Sequence, residues 1–151
     1  MPTITPFLWF DTQAEEAMNF YASIFKHSKV TSVNRVQGKV MSVQFELEGQ
    51  KFMALNAGPQ FKFTEAISFF VGCGTQEEID ELWTKLIAGG GMPSRCGWLK
   101  DKFGLSWQIV PNALGRMLSD KDAAKSKRTL DAMLQMEKLD LNRLQAAYNG
   151  A

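Results

Sequence analysis

Side chains able to do covalent or acid–base chemistry are sparse in this sequence. His27 is the sole histidine and falls just past a helical stretch, where a cap or surface role outweighs catalysis. Cys73 and Cys96 have neither metal-ligand spacing nor a disulfide framework, so both are expected as free thiols, and no histidine stands near Cys96 in sequence to deprotonate it. Lys100, Asp101 and Lys102 would suit charge clamping or general-acid work, but they straddle an expected hairpin tip, where exposed charges are ordinary. What remains suits non-covalent binding. Phe7, Trp9, Phe70 and Trp98 build an apolar pocket wall if they share a concave face, and plain core if they do not. Asn56 and Gln108 can orient a ligand through their amides or satisfy a neighbouring backbone group. Trp83 sits on a helical stripe and is expected in the core.

The elements that must position these residues follow from periodicity. Ile4 to Phe10 reads as a strand, and Ala14 to Phe25 as a helix with Ala17, Phe20, Tyr21 and Ile24 at helical spacing, capped by Asp11 or Thr12. Strands are expected at Lys29 to Val36, Val40 to Leu47 and Lys51 to Leu55, with hairpins at the glycine-bearing breaks. In the middle strand Met41, Val43, Phe45 and Leu47 alternate with Ser42, Gln44 and Glu46, which makes one face core and leaves the other open.

The pattern then repeats. Ala66 to Val71 is a strand, Thr75 to Glu78 opens a helix carrying Ile79, Leu82, Trp83, Leu86 and Ile87, and strands follow around Ser94 to Lys100 and Leu105 to Val110. Two βαβββ modules result, and neither four-stranded half can cover its own apolar face. Beyond Pro111 the chain turns helical at Asn112 to Leu118, Ala123 to Met136 and Asp140 to Tyr148, with Leu130, Met133, Leu134, Leu141 and Leu144 as apolar stripes. The expected fold class is α+β. A single domain over residues 1–151 is built from module one at 1–60, module two at 64–111 and a helical extension at 112–151.

The chain has 151 residues, 45% hydrophobic and 22% charged, and its net charge of +1 leaves no basic excess for nucleic acid. The apolar run Ile67 to Val71 is far short of the roughly 20 residues of a membrane span. The cytoplasm is the expected compartment, with neither nucleic acid nor membrane as a partner.

A tandem βαβββ repeat of this length resembles the vicinal oxygen chelate superfamily, which includes glyoxalase I, extradiol dioxygenases and bleomycin-resistance proteins. Residues 4–10, Ala14 to Ala17 with Phe20 and Tyr21, residues 52–56 and the run from Cys96 to Pro111 are similar to the PhnB-like branch, often labelled 3-demethylubiquinone-9 3-methyltransferase domain. That branch's C-terminal segment also resembles Asp122 to Tyr148. The superfamily's metal sites use His, Gln or Glu on the outer strands of each half. The resemblance places Thr5 at the first such position, a residue near Phe52 (with Ala54 and Asn56) at the second, Ala66 or Ser68 at the third and Gln108 at the fourth. Only Gln108 is a potential ligand, so no metal and no other cofactor is expected. No glycine-rich turn followed by an acidic residue marks a methyl-donor nucleotide site.

The resemblance implies a homodimer and a small-molecule ligand. The expected binding residues are Thr5, Phe7, Trp9, Asn56, Ser68, Phe70, Trp98 and Gln108, and the expected function is metal-independent binding of an aromatic or quinone-like molecule. The alternative is an enzyme, either a glyoxalase-type lyase or isomerase or the methyltransferase of the family label.

Overall fold

The alternation of Val43, Phe45 and Leu47 with Ser42, Gln44 and Glu46 requires something to cover one face of that strand, and a helix does. The computed structural model describes residues Met1–Ala151 and divides into two units, Met1–Lys62 and Phe63–Ala151. The first unit runs β1 (Phe7–Phe10), α1 (Ala14–Ile24), β2 (Ser28–Val36), β3 (Lys39–Leu47) and β4 (Gln50–Asn56), with strand order β1-β4-β3-β2. β1 pairs parallel to β4, and the other pairs are antiparallel. Ala14, Ala17, Met18, Tyr21 and Ile24 form the buried stripe of α1. They face the buried side chains of Leu8, Phe10, Val43, Phe45, Phe52 and Ala54, and the rings of Phe45 and Phe52 stack across β3 and β4 at 5.3 Å.

Both hairpin turns carry two residues at positive φ, Gln37 with Gly38 and Glu48 with Gly49, which is what the tightest two-residue hairpin demands. Glu48 is held in that conformation by His27, whose backbone N–H donates to Oε2 at 3.0 Å while Nδ1 lies 3.0 Å from Oε1. The His27 N–H is the main reason the Glu48 carboxyl sits below its ordinary pKa. The single histidine is thus an exposed turn partner.

The second unit repeats the topology with β5 (Ser68–Cys73), α2 (Gln76–Ile87), β6 (Met92–Pro93), β7 (Trp98–Lys100) and β8 (Ser106–Pro111), in the order β5-β8-β7-β6. Ile79, Trp83 and Leu86 of α2 are buried together with Leu99, Trp107 and Ile109. Thr75 caps α2 by accepting the Glu78 N–H.

Four local expectations need correction. No Asp11 or Thr12 side chain caps α1; the Asn56 amide oxygen accepts the Ala14 N–H at 2.8 Å from the end of β4, so the cap is tertiary. β1 begins at Phe7, which leaves Thr5 outside the strand. The strand expected around Ser94 to Lys100 is broken, because Cys96 and Gly97 take positive φ. Their N–H groups donate to the carbonyls of Met136 and Glu137 rather than to a neighbouring strand. Finally, Asp101 is not an exposed hairpin charge but is 3% exposed, accepting from Trp107 Nε1 at 2.9 Å and from the backbone N–H of Phe103 and Leu105.

The extension folds as α3 (Ala113–Leu118), α4 (Ala123–Met133) and α5 (Leu141–Asn149) and docks on its own unit. Val110, Leu114, Met117, Met136, Leu139 and Leu144 form its core, with Met133 and Leu141 packed at the margin. Leu130 and Leu134 remain exposed, contrary to the expected stripe, because the α4–α5 connection supplies Met136 and Leu139 instead. Gln76 clamps that connection with both ends of its amide, donating to the Leu139 carbonyl and accepting from the Leu141 N–H. Lys138 adds an ion pair to Asp80 at 2.7 Å. Arg128 donates to the carbonyls of Ala147 and Tyr148 at the end of α5. No helix is long and apolar enough to cross a membrane.

Candidate functional site

Each sheet has one face under its helix and one open face, and strand alternation sorts the candidate residues between them. In the first unit Leu8 and Phe10 go to the helix, so Phe7 and Trp9 take the open side, opposite Met53 and Leu55 of β4. Phe7 is 52% exposed. Trp9 is fixed at its polar end by donation from Nε1 to the Gly58 carbonyl at 2.9 Å, and on its ring by Phe61, edge-on at 4.9 Å. Asn56 belongs to the opposite side: it pairs with Phe10 in register, and its amide is engaged by the Ala14 N–H and the Val40 carbonyl. Phe52 and Ala54 are likewise buried on the helix side. Thr5 lines a recess of about 440 Å³ with Lys29, Gln44, Glu46, Lys51 and Met53, and Met53 is the open-side neighbour of Phe7.

The second unit brings its candidates closer together. Phe70 pairs with Gln108 and Gln108 with Trp98, so the three stand in one row across β5, β8 and β7. Phe69, Trp107 and Ile109 point the other way; Phe69 meets Trp107 at 5.3 Å, and Trp107 and Ile109 are buried. Ser68 lies in the next row, opposite Ser106, which pairs in turn with Lys100. Gln108 Nε2 donates to Ser68 Oγ at 2.9 Å, which fixes the amide plane and leaves its oxygen directed elsewhere. Phe70 is 63% exposed. Val110, next on the same side of β8, belongs to the core of the extension, so the tail closes that end of the open face.

Sequence reasoning passed over Ser106. Its only signal was a small polar residue alternating with Gln108 in an otherwise apolar strand. It is 1% exposed, and its Oγ has no hydrogen-bond partner in the protein.

Cys73 is not set up as a nucleophile. Burial first, and the Glu78 carboxylate second, push the Cys73 thiol up to about 11. Both cysteines are free.

The donor set does not fit the metal centres of the vicinal oxygen chelate enzymes. Such centres need about three imidazole, carboxylate or thiolate ligands, whereas the matched positions hold Thr5, the Phe52 region, Ser68 and Gln108. Nowhere do three or more His, Cys, Asp and Glu side chains gather as an ion site.

Comparison with known proteins agrees with the fold. The family model described as 3-demethylubiquinone-9 3-methyltransferase matches residues 2–110. A solved PhnB protein structure from Bacillus cereus is 41% identical with a TM-score of 0.66, covering 73% of this chain and 99% of that one. A glyoxalase/bleomycin resistance protein from Albidiferax ferrireducens (12% identity, TM-score 0.51, 71% of this chain and 95% of that one) shares the fold. So does a glyoxalase-related enzyme from Fulvimarina pelagi (13%, 0.52, 76% and 91%). No curated protein matches the chain.

Proposed function

The chain belongs to the PhnB-like 3-demethylubiquinone-9 3-methyltransferase family of the glyoxalase/bleomycin resistance superfamily, and from that premise we propose that it binds a small aromatic or quinone-like molecule without a metal ion. The observation that carries this reading is the Phe70–Gln108–Trp98 row. Two aromatic side chains flank an amide oriented by Ser68, an arrangement of apolar wall and single polar group that small-molecule sites use. Phe7 and Trp9 supply a second aromatic surface on the first unit's sheet. Solvent-facing Phe7, Phe61, Ile67 and Phe70 support pairing of two copies, which sedimentation equilibrium would test.

A thermal-shift screen of aromatic and quinone-like compounds, run with and without chelator, tests the function. Stabilisation that survives chelation supports it, because a ligand that binds only the folded state raises the melting temperature by mass action. Stoichiometric divalent metal in protein purified without chelator would instead favour a glyoxalase-type lyase or isomerase.

A further inference from the structure

On the open side of the second sheet, Ser106 forms part of the wall of a recess of about 230 Å³ together with Trp98, Lys100, Glu65, Met92 and Ser94. Three features of that recess act together. Its size lies below the roughly 300–1,000 Å³ of pockets that take drug-sized ligands, so it holds one ring rather than a whole molecule. Its charge is balanced, because the Lys100 ammonium is ion-paired with the Glu65 carboxylate and the other wall residues are neutral. The pairing with Lys100 is also the main cause of the lowered Glu65 pKa. Its one buried polar group without a protein partner is the Ser106 hydroxyl, placed by alternation on the same side as Gln108 while Leu105 and Trp107 are buried beneath the helix.

A buried hydroxyl that donates to nothing is costly, and a ligand oxygen would relieve that cost. Because the Lys100 ammonium is already neutralised by Glu65, the recess has no spare positive charge to hold an anion, and the fitting oxygen is an uncharged acceptor. We propose that this recess is an anchoring subsite for a single aromatic ring bearing a neutral carbonyl oxygen, with Trp98 against the ring and Ser106 Oγ–H donating to the carbonyl. The inference rests on the aromatic-binding reading above and deepens it by naming the ligand's polar group and the residue that reads it.

The test titrates the full chain with three single-ring probes, acetophenone, benzoate and ethylbenzene, following the indole N–H signals of Trp98 and Trp9 by NMR. Trp98→Phe and Trp9→Phe variants assign those signals. The expected result is that acetophenone moves the Trp98 signal and binds more tightly than benzoate or ethylbenzene. Ser106→Ala should weaken acetophenone by about two- to tenfold, the value of one neutral hydrogen bond, and leave ethylbenzene unchanged. Removing an unpaired hydroxyl should also leave the melting temperature of Ser106→Ala equal to or above that of the parent. Equal acetophenone affinity in parent and Ser106→Ala overturns the subsite while leaving aromatic binding intact. Preference for benzoate overturns the neutral-carbonyl assignment. A marked fall in melting temperature for Ser106→Ala shows that the hydroxyl serves the fold, and so overturns its role as ligand donor. Absence of any Trp98 response to all three probes also overturns the subsite, and a Trp9 response in that case moves aromatic binding to the first unit's sheet.

Discussion

Removing the Asp101 carboxylate would orphan three donors at once: Trp107 Nε1 and the backbone N–H groups of Phe103 and Leu105. Each buried donor left without an acceptor costs about 1–3 kcal/mol. Asp101→Ala is therefore expected to lower the urea midpoint strongly, whereas Lys102→Ala beside it, an exposed position, should move it little. The sequence showed Asp101 only as one of three successive charges, because nothing in a linear pattern tells which charge turns inward. At the two thiols the expectation is kinetic. Cys73 is 1% exposed and holds its proton to about 11, so at pH 8 a thiol reagent should modify Cys96 in the folded protein and leave Cys73 to react only on unfolding. Two equally fast thiols would contradict the burial of Cys73. The sign for stability follows from the same shift. The unfolded thiol loses its proton near 8.5 and the folded one near 11, so Cys73 adds no penalty below about pH 8.5 and stability falls as pH rises between the two values.

The helices and paired strands were legible because their apolar residues recur at periods of 3.6 and 2, and the return of a strand followed by a helix from Ala66 onward marked the second module. What stayed hidden depends on contacts distant in sequence. Asn56 caps α1 from 42 residues away, and the break between β6 and β7 exists because the chain at Cys96 and Gly97 bonds to the tail. Gly97 makes this testable. Its φ is +87°, and an added Cβ would stand 2.9 Å from the Ile109 carbonyl and 3.0 Å from Leu139. Gly104, at φ +88° with open space around it, is the control for conformation alone. Gly104→Ala should cost about 1–2 kcal/mol in chemical denaturation, and Gly97→Ala clearly more. Leu139→Ala, at a fully buried position, should cost about 2–5 kcal/mol. If the extension were loosely attached, neither Gly97→Ala nor Leu139→Ala would shift the midpoint.

Two βαβββ units and a docked helical tail make a molecule whose family model stops at residue 110 but whose second unit runs to Ala151. Ending the chain after Pro111 would uncover Val110 and strip Gln76, Cys96 and Gly97 of their tail partners. The shortened chain is expected to aggregate or lose its native association state, and a soluble product with unchanged sedimentation would refute that. The open faces were foreseeable from alternation, whereas the place of Gln108 between Phe70 and Trp98 is set by strand register, which no linear pattern shows. The orphaned Ser106 hydroxyl was not foreseeable either, since its lack of a partner is a property of the packed structure. Metal-free binding at the Phe70–Gln108–Trp98 row is put to the test by calorimetric titration of the strongest compound from the thermal-shift screen, using chelator-treated parent protein and the Trp98→Ala and Gln108→Leu variants. The expected result is one binding event unchanged by chelator and weakened about tenfold or more in Trp98→Ala, the scale at which aromatic anchors act, with a smaller loss in Gln108→Leu. Binding that vanishes with chelator, or persists at parental affinity in both variants, would contradict it.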